Sequence, residues 1–137
     1  MNRQLIIEYW IEKAYQDIKS AQDDLEDNRL QNAVSSRYYA YFHSFSALLF
    51  HEGKQLKKHK QVRAILHRDY VHTGRIERLW GKQYDWFFVN RQKADYQPLV
   101  EFNLDEVKQK ITQSIEFVKL IEALISISKE LSKTNES

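Results

Sequence analysis

The chain has 137 residues, a formal net charge of +2 and no cysteine. This length suits one domain around a single core, and the absence of cysteine excludes a disulfide framework and thiolate chemistry. The small net charge does not indicate nucleic-acid binding by the surface as a whole. No stretch reaches the roughly 18 consecutive apolar residues of a membrane span. The opening MNRQLIIEYWIEK does not resemble a signal peptide, so we expect a cytoplasmic protein.

Three glycines, one proline and apolar residues at helical spacing predict an all-α fold. The first amphipathic helix is predicted over residues 3–26. A capping box at Asn28 and Gln31 predicts the start of a second helix, which Gly53 ends. This second helix is apolar around so much of its surface that it must be covered on more than one side. A shorter third helix follows and ends at Gly74.

A fourth helix is predicted over about residues 75–94, with Gly81 as a candidate break. Pro98 stops helical continuation, and the residues before it should be extended or turning. Asn103 and Glu106 form a second capping box, which starts a long closing helix. That helix carries one apolar stripe from Leu104 to Ile125 and a second at Phe117, Leu120, Leu124, Ile127 and Leu131.

These elements predict an antiparallel up-and-down bundle of four to five helices. Residues 1–131 should form the single domain, and residues 132–137 a polar tail. Tyr38 and Tyr41 fall on the apolar stripe of the second helix and should be core aromatics whose hydroxyls reach polar partners. The second stripe of the closing helix indicates deep burial or a partner surface, and we favour a homodimer.

The charges are distributed unevenly. Asp23, Asp24, Glu26 and Asp27 form an acidic group, whereas the segment from Lys54 to Arg68 is basic and contains no acid. A basic patch on a near-neutral protein can hold phosphate, although a solvated face is the simpler interpretation. The candidate phosphate contacts in this segment are Lys57, Lys58, His59 and Lys60.

No cofactor or metal site is predicted. The five histidines, at positions 43, 51, 59, 67 and 72, show no metal-ligand spacing, and no glycine-rich phosphate loop is present. Spacing singles out no Ser-His-Asp arrangement either.

The segment VNRQKADY is the main candidate for a functional site. Arg91 and Asp95 lie four residues apart and can pair on one helical face, although the acid is C-terminal to the base, which is the weaker order. Tyr96 can bury its ring and offer its hydroxyl to the same network. The pair can simply hold the helix end before Pro98. Alternatively, Arg91 faces a phosphate and Asp95 orients it.

The blocks SSRYYAYFHSFSALLFHEG, HKQVRAILHRDYVHTG and NRQKADY, followed by a long closing helix, resemble the HEPN domain. The resemblance is strongest to small stand-alone prokaryotic members with an R-x-x-x-D-Y signature, and it covers residues 8–131. It implies an antiparallel helical bundle that is usually a dimer. It also implies a neighbouring minimal nucleotidyltransferase in many cases, and relatives that cut RNA as toxins or bind nucleotides.

Catalytic members of that family carry a histidine shortly after the arginine, and here none follows Arg91. Asp95 and Tyr96 stand in its place. Cleavage of RNA without metal needs a group that exchanges protons near neutral pH, which histidine does and a carboxylate, titrating at about pH 3.9, does not. Arg37 and His43 match the motif as a string, but they lie in the second helix, six residues apart, and we interpret this match as chance.

We therefore predict a catalytically degenerate HEPN-like domain that binds nucleotide or RNA and partners a minimal nucleotidyltransferase in a toxin–antitoxin type pair. Arg91, Asp95 and Tyr96 form its functional cluster, with Arg91 facing the phosphate. One alternative is a metal-independent endoribonuclease that recruits His59 or His67 from elsewhere in the chain. A second alternative is a purely structural dimerisation module.

Overall fold

The computed structural model describes the backbone of residues 2–55 and 58–136, and the side chains in those ranges as far as Ile127. This part of the chain contains five α-helices and no strand, which confirms the all-α prediction. The helices are α1 (Arg3–Glu26), α2 (Leu30–His51), α3 (His59–Ile65), α4 (Arg78–Tyr96) and α5 (Leu104–Glu136). A π-helical turn, Leu66–Val71, continues directly from α3. No helix among the described residues is both long and apolar enough to cross a membrane.

α2 is the central helix of the bundle, because α1, α3, α4 and α5 all pack against it. This arrangement confirms that α2 needs cover on more than one side. The Arg3 guanidinium, at the start of α1, donates a 2.5 Å hydrogen bond to the Phe50 carbonyl near the end of α2, so the two helices are antiparallel. α5 packs against both of them, and α4 covers another side of α2.

Aromatic rings of α2 fill the centre of the bundle. Tyr38 and Tyr41 are completely buried, as predicted. The Tyr41 ring lies 4.6 Å from that of Phe117 on α5 and 5.2 Å from that of Phe87 on α4, measured between centroids. Burial of each such side chain stabilises the fold by about 1.5–3 kcal/mol. The Tyr41 hydroxyl has no hydrogen-bond partner among the described residues, contrary to the expectation.

The turn between α1 and α2 differs from the prediction. Asn28 has a left-handed backbone with φ 60°, whereas an N-cap residue is extended. The N-cap of α2 is instead Arg29, which makes no side-chain capping bond. The side-chain Nε2 of Gln31 donates to the Val100 carbonyl at 3.0 Å and thereby ties α2 to the segment before α5. The capping box predicted at Asn28 and Gln31 is therefore wrong.

The third and fourth helices are present, with two departures from the prediction. The second half of the third helix is the π-helical turn, and Gly74, with φ 82°, follows it in the left-handed conformation that favours glycine. α4 continues through Gly81 without a break. Gly81 is buried, and a Cβ atom at this position would lie 2.9 Å from Cε1 of His67. A close approach of the π-helical turn explains this glycine better than a helix break does.

α5 begins at the predicted cap. The Glu106 N–H donates to Oδ1 of Asn103 at 2.9 Å. The second bond of a capping box, from the Asn103 N–H to the Glu106 carboxylate, is not among the described contacts. Oε1 of Glu106 instead accepts a 2.9 Å hydrogen bond from Nε1 of Trp86 on α4. This bond links the start of α5 to the middle of α4.

The second apolar stripe of α5 is only partly a surface feature. Phe117 is completely buried and Ile127 is 54% exposed, with Leu120 and Leu124 half-buried between them. Leu131 lies outside the residues whose side chains are described. The helix continues to Glu136 and so includes most of the segment that the sequence indicated as a tail.

We predict that Gly81→Ala destabilises the protein, although alanine is favoured over glycine inside a helix by about 1 kcal/mol. The added methyl group would meet the His67 ring at 2.9 Å and Cγ2 of Val71 at 3.2 Å. Overpacking of this kind costs about 1–3 kcal/mol. Urea denaturation should therefore give a free energy of unfolding below that of the native sequence. A second variant, Gly81→Ala with His67→Ala, should recover part of the loss, and a more stable Gly81→Ala protein would contradict the described contact.

Candidate functional site

The predicted arginine lies on α4 over the aromatic surface of α2. Its Nη2 donates a 3.0 Å hydrogen bond to the hydroxyl of Tyr39. The Arg91 Cζ atom lies 5.3 Å from the ring centroid of Tyr38 and 5.4 Å from that of Tyr39, within the range of cation–π attraction. Only 14% of the Arg91 side chain is exposed. The guanidinium is therefore held in place by two neighbouring rings.

Arg91 and Asp95 form the predicted pair. Nε of Arg91 and Oδ2 of Asp95 are 3.0 Å apart, and the Asp95 side chain is 31% exposed. The Nε atom has no hydrogen bond of good geometry among the described residues, so the attraction is mainly electrostatic. Burial by itself lowers the pKa of Arg91, but Tyr39 and Asp95 more than offset it and the pKa is raised. The guanidinium stays charged at any ordinary pH.

Tyr96 does not join this network, so the expectation that it buries its ring there is wrong. Its side chain is 75% exposed. Five residues separate it from Arg91, which places the two about 140° apart around a helix of 3.6 residues per turn. Tyr96 lines a separate depression with Val89, Gln92 and Lys93.

His59 approaches the arginine from α3. Its Nδ1 lies 2.8 Å from the hydroxyl of Tyr38, and its ring stacks on Phe42 with centroids 4.2 Å apart. Burial, and then the positive charge of Arg91 and the proximity of His43, lower the pKa of His59 from its usual 6.5. Arg91 and His59 thus share Tyr38, although no hydrogen bond joins them directly in the described contacts. At neutral pH the imidazole is uncharged.

The other predicted basic contacts divide into three cases. Lys57 lies outside the described residues. Lys58 is exposed at the start of α3, where its backbone N–H donates to Oε1 of Gln61 at 3.2 Å. Lys60 is exposed and lines a depression together with Arg63. Of the three that the structure describes, only His59 has a described contact with Tyr38, over which Arg91 lies.

The sequence did not single out Tyr39 as a neighbour of Arg91, or His43 as a neighbour of Tyr39. The Tyr39 ring stacks on that of His43 with centroids 5.6 Å apart, and Nδ1 of His43 lies 2.6 Å from Oδ2 of Asp17 on α1. Tyr39 and His43 are four residues apart on α2, and this spacing was the available signal. No sequence signal indicated Asp17 as the partner of His43, because only the packing of α1 against α2 brings these two residues together.

Arg37 belongs to a different part of the bundle. It is 2% exposed, and its Nη2 donates to the Ile18 carbonyl at 3.4 Å. Burial lowers its pKa to about 10. The described contacts do not join Arg37 to His43, as expected for a chance match to the motif. No group of three or more histidine, cysteine, aspartate or glutamate side chains suited to a metal ion occurs among the described residues.

Residues 7–127 match the model of the HEPN domain. The chain is 39% identical over 123 residues to a UPF0332 protein of Thermotoga maritima, covering 90% of this chain and 93% of that protein. It is also similar to two proteins of Methanocaldococcus jannaschii that carry the name "Putative toxin". One is 34% identical over 90 residues, or 66% of this chain and 67% of its own length. The other is 26% identical over 102 residues, or 74% and 69%.

The fold and these similarities define the class of protein: the chain belongs to the HEPN domain family. It is related to proteins named as toxins. The resemblance inferred from the three sequence blocks is thereby confirmed.

We predict that His59 makes the protein less stable as the pH falls below about 6.5, its usual pKa. Its pKa is lower in the folded state than in the unfolded state, so the unfolded chain binds the proton more readily. Above about pH 6.5, His59 should not affect how the free energy of unfolding depends on pH. Below it, the free energy of unfolding should fall as the pH drops towards the folded-state pKa of His59. Thermal melts across this range should show a smaller decline for His59→Asn.

The matched control is His72→Asn, since His72 is exposed just after the π-helical turn. This variant should follow the pH profile of the native sequence. An unchanged profile in His59→Asn would contradict the assignment of the acid sensitivity to His59.

Proposed function

We propose that the protein binds phosphate groups of RNA or a nucleotide at the Arg91 site, and that it acts as the RNA-associated member of a toxin–antitoxin type pair. The observation that carries this proposal is a permanently charged, largely buried guanidinium held over two tyrosine rings, with the imidazole of His59 on one of them. Guanidinium groups bind phosphate through several donors in a fixed geometry.

The two rings strengthen the case for a ligand at this position. Tyr38 is completely buried, and burial raises its pKa to about 12, so its hydroxyl remains protonated. Tyr39 is only partly buried and binds the guanidinium through its hydroxyl. A cation fixed in a medium of low polarity interacts with an anion more strongly than one in water. Asp95 partly neutralises Arg91 and so should limit the affinity.

Two further parts of the proposal rest on the family. The homodimer is proposed from the second apolar stripe of α5 and from the HEPN resemblance, and the small nucleotidyltransferase partner from the resemblance alone. Similarity to proteins named as toxins is consistent with the pair.

The phosphate-binding proposal predicts opposite effects for the two members of the ion pair. Arg91→Ala should weaken binding of a labelled single-stranded oligoribonucleotide about tenfold or more, since a hydrogen bond to a charged group contributes about 1.5–3 kcal/mol. Asp95→Asn should strengthen it, because the counter-charge is removed. Fluorescence anisotropy measures both changes.

Arg78→Ala is the control, because Arg78 is an exposed arginine at the start of the same helix. It should bind like the native sequence. If Arg91→Ala and Asp95→Asn lower the melting temperature while binding is equal to that of Arg78→Ala, the ion pair is structural and the proposal fails. Absence of binding by the native protein favours the dimerisation module.

A second candidate function, metal-independent RNA cleavage, is favoured by His59. With Nδ1 protonated and donating to Tyr38, the Nε2 lone pair of a neutral imidazole could accept the proton of a ribose 2′-hydroxyl. The resulting oxygen would attack the adjacent phosphorus, and the 5′-oxygen would leave with a proton returned by the imidazolium. Arg91 would stabilise the charge on the phosphoryl oxygens. The products would be a 2′,3′-cyclic phosphate and a 5′-hydroxyl.

This candidate predicts RNA cleavage by purified protein in the presence of a chelator. His59→Asn and Arg91→Ala should each lower the rate by about a hundredfold or more, through loss of the general base and loss of charge stabilisation respectively. His72→Asn and Arg78→Ala should cleave at the native rate. Intact RNA in the native reaction, together with Arg91-dependent binding, would eliminate the cleavage candidate and leave the binding function in place.

A further inference from the structure

A second cluster of charged side chains lies beside the Arg91 site, on α3, the π-helical turn and the middle of α4. His59, Arg63 and His67 follow one another at intervals of four residues along α3 and the π-helical turn. On α4, Asp85 lies six residues before Arg91, with Phe88 between them. Side chains four residues apart share one face of a helix, and contacts with Asp85 and Phe88 place this face of α3 and the π-helical turn against α4. The facing sides of α3 and α4 therefore form one strip, which we call the α3–α4 strip.

Packing contacts connect the two ends of this strip. Cζ of Arg63 lies 4.6 Å from the centroid of the Phe88 ring. The Phe88 ring in turn lies 6.1 Å from that of Tyr38, over which Arg91 is placed. Apolar contact between the clusters fixes their separation. Their positions on α4 are six residues apart, or about 9 Å at a rise of 1.5 Å per residue.

The second cluster is built around one carboxylate oxygen. Oδ1 of Asp85 accepts from Nε of Arg63 at 2.7 Å and lies 2.8 Å from Nε2 of His67. The three side chains are 34%, 35% and 39% exposed for Arg63, Asp85 and His67. Asp85 uses Nε of Arg63, which leaves Nη1 and Nη2 for a ligand. This carboxylate orients the guanidinium without occupying its outer edge.

Two features indicate a ligand site here rather than a surface ion pair. The cluster borders a depression of about 470 Å³ that Lys60 also lines. Lys60 is exposed and has no partner among the described contacts, so Lys60 and Arg63 outnumber the one carboxylate. His67 is positioned by a π-helical turn, a rare element that is frequent at functional sites, and by the close approach of Gly81.

We propose that Lys60 and Arg63 form a second phosphate subsite, so that the α3–α4 strip takes two phosphates of one single-stranded RNA. The guanidinium of Arg63 lies over Phe88, whereas that of Arg91 lies over Tyr38 and Tyr39, so the two groups occupy separate positions for phosphate along the strip. A strand that places one phosphate at Arg91 brings its next phosphates along the strip. This inference rests on the proposed function, since it extends the same binding surface.

The test compares the salt dependence of binding for two probes, a labelled single-stranded oligoribonucleotide and labelled AMP. Each phosphate contact contributes about −0.7 to the slope of log K against log salt for a single strand. Lys60→Gln should make the slope for the oligoribonucleotide shallower by about that amount. It should leave AMP binding unchanged, because AMP carries one phosphate and is held at Arg91. The substitution breaks no described contact, so the fold should be retained.

Lys19→Gln on α1 is the matched control, because Lys19 is also exposed and has no described partner. It should keep the native slope. A native slope in Lys60→Gln, or an equal change in Lys19→Gln, would overturn the second subsite. In either case weaker binding by Arg91→Ala would still uphold the proposed function. If the native protein binds no oligoribonucleotide, both the subsite and the function are overturned.

Discussion

Because α2 is apolar on several sides, every other helix has to pack against it, and the positions of those helices follow from this requirement. Tyr38 and Tyr41 lie at its centre with no exposed surface. Covering them brings α3 to one side of α2 and α4 to another. The candidate site is formed at the edge of this core, where α2, α3 and α4 meet.

The same packing determines the chemistry of the site. Arg91 lies over tyrosine rings rather than in open solvent, so its charge is less screened than that of an exposed arginine. His59 is bonded to one of those tyrosines, and burial together with Arg91 lowers its pKa. A fixed cation and a neutral imidazole therefore lie side by side, so the cation can attract an anionic ligand while the imidazole remains able to accept a proton.

The position of the histidine bears on how HEPN sequences are interpreted. The family motif places arginine and histidine close together in sequence, and here Asp95 and Tyr96 occupy that place. Nevertheless, the imidazole of His59, which precedes Arg91 by 32 residues, contacts the same tyrosine as Arg91, Tyr38. A missing motif residue therefore does not by itself exclude a proton-transfer group, since the chemistry needs proximity in space and not in sequence.

Local physical chemistry made much of the structure predictable. Apolar periodicity indicated the helices, Gly53, Gly74 and Asn103 marked their ends, and the spacing of Arg91 and Asp95 indicated an ion pair. These features depend on residues within one or two helical turns. The exposure of Tyr96 also follows from helical geometry, although it was predicted wrongly.

Tertiary packing decided the remainder. The capping box at Asn28 is absent, since Asn28 has a left-handed backbone and Gln31 contacts a distant carbonyl. Gly81 marks a close approach by His67 rather than a helix break. The meeting of Arg91 with Tyr39 and His59 joins three helices. Sequence by itself determined which segments are helical and which residues carry charge. Only the folded chain decided which charges are neighbours. The hydrophobic effect buries the apolar faces of the helices, and sequence spacing does not show which polar side chains will meet at the edges of those faces.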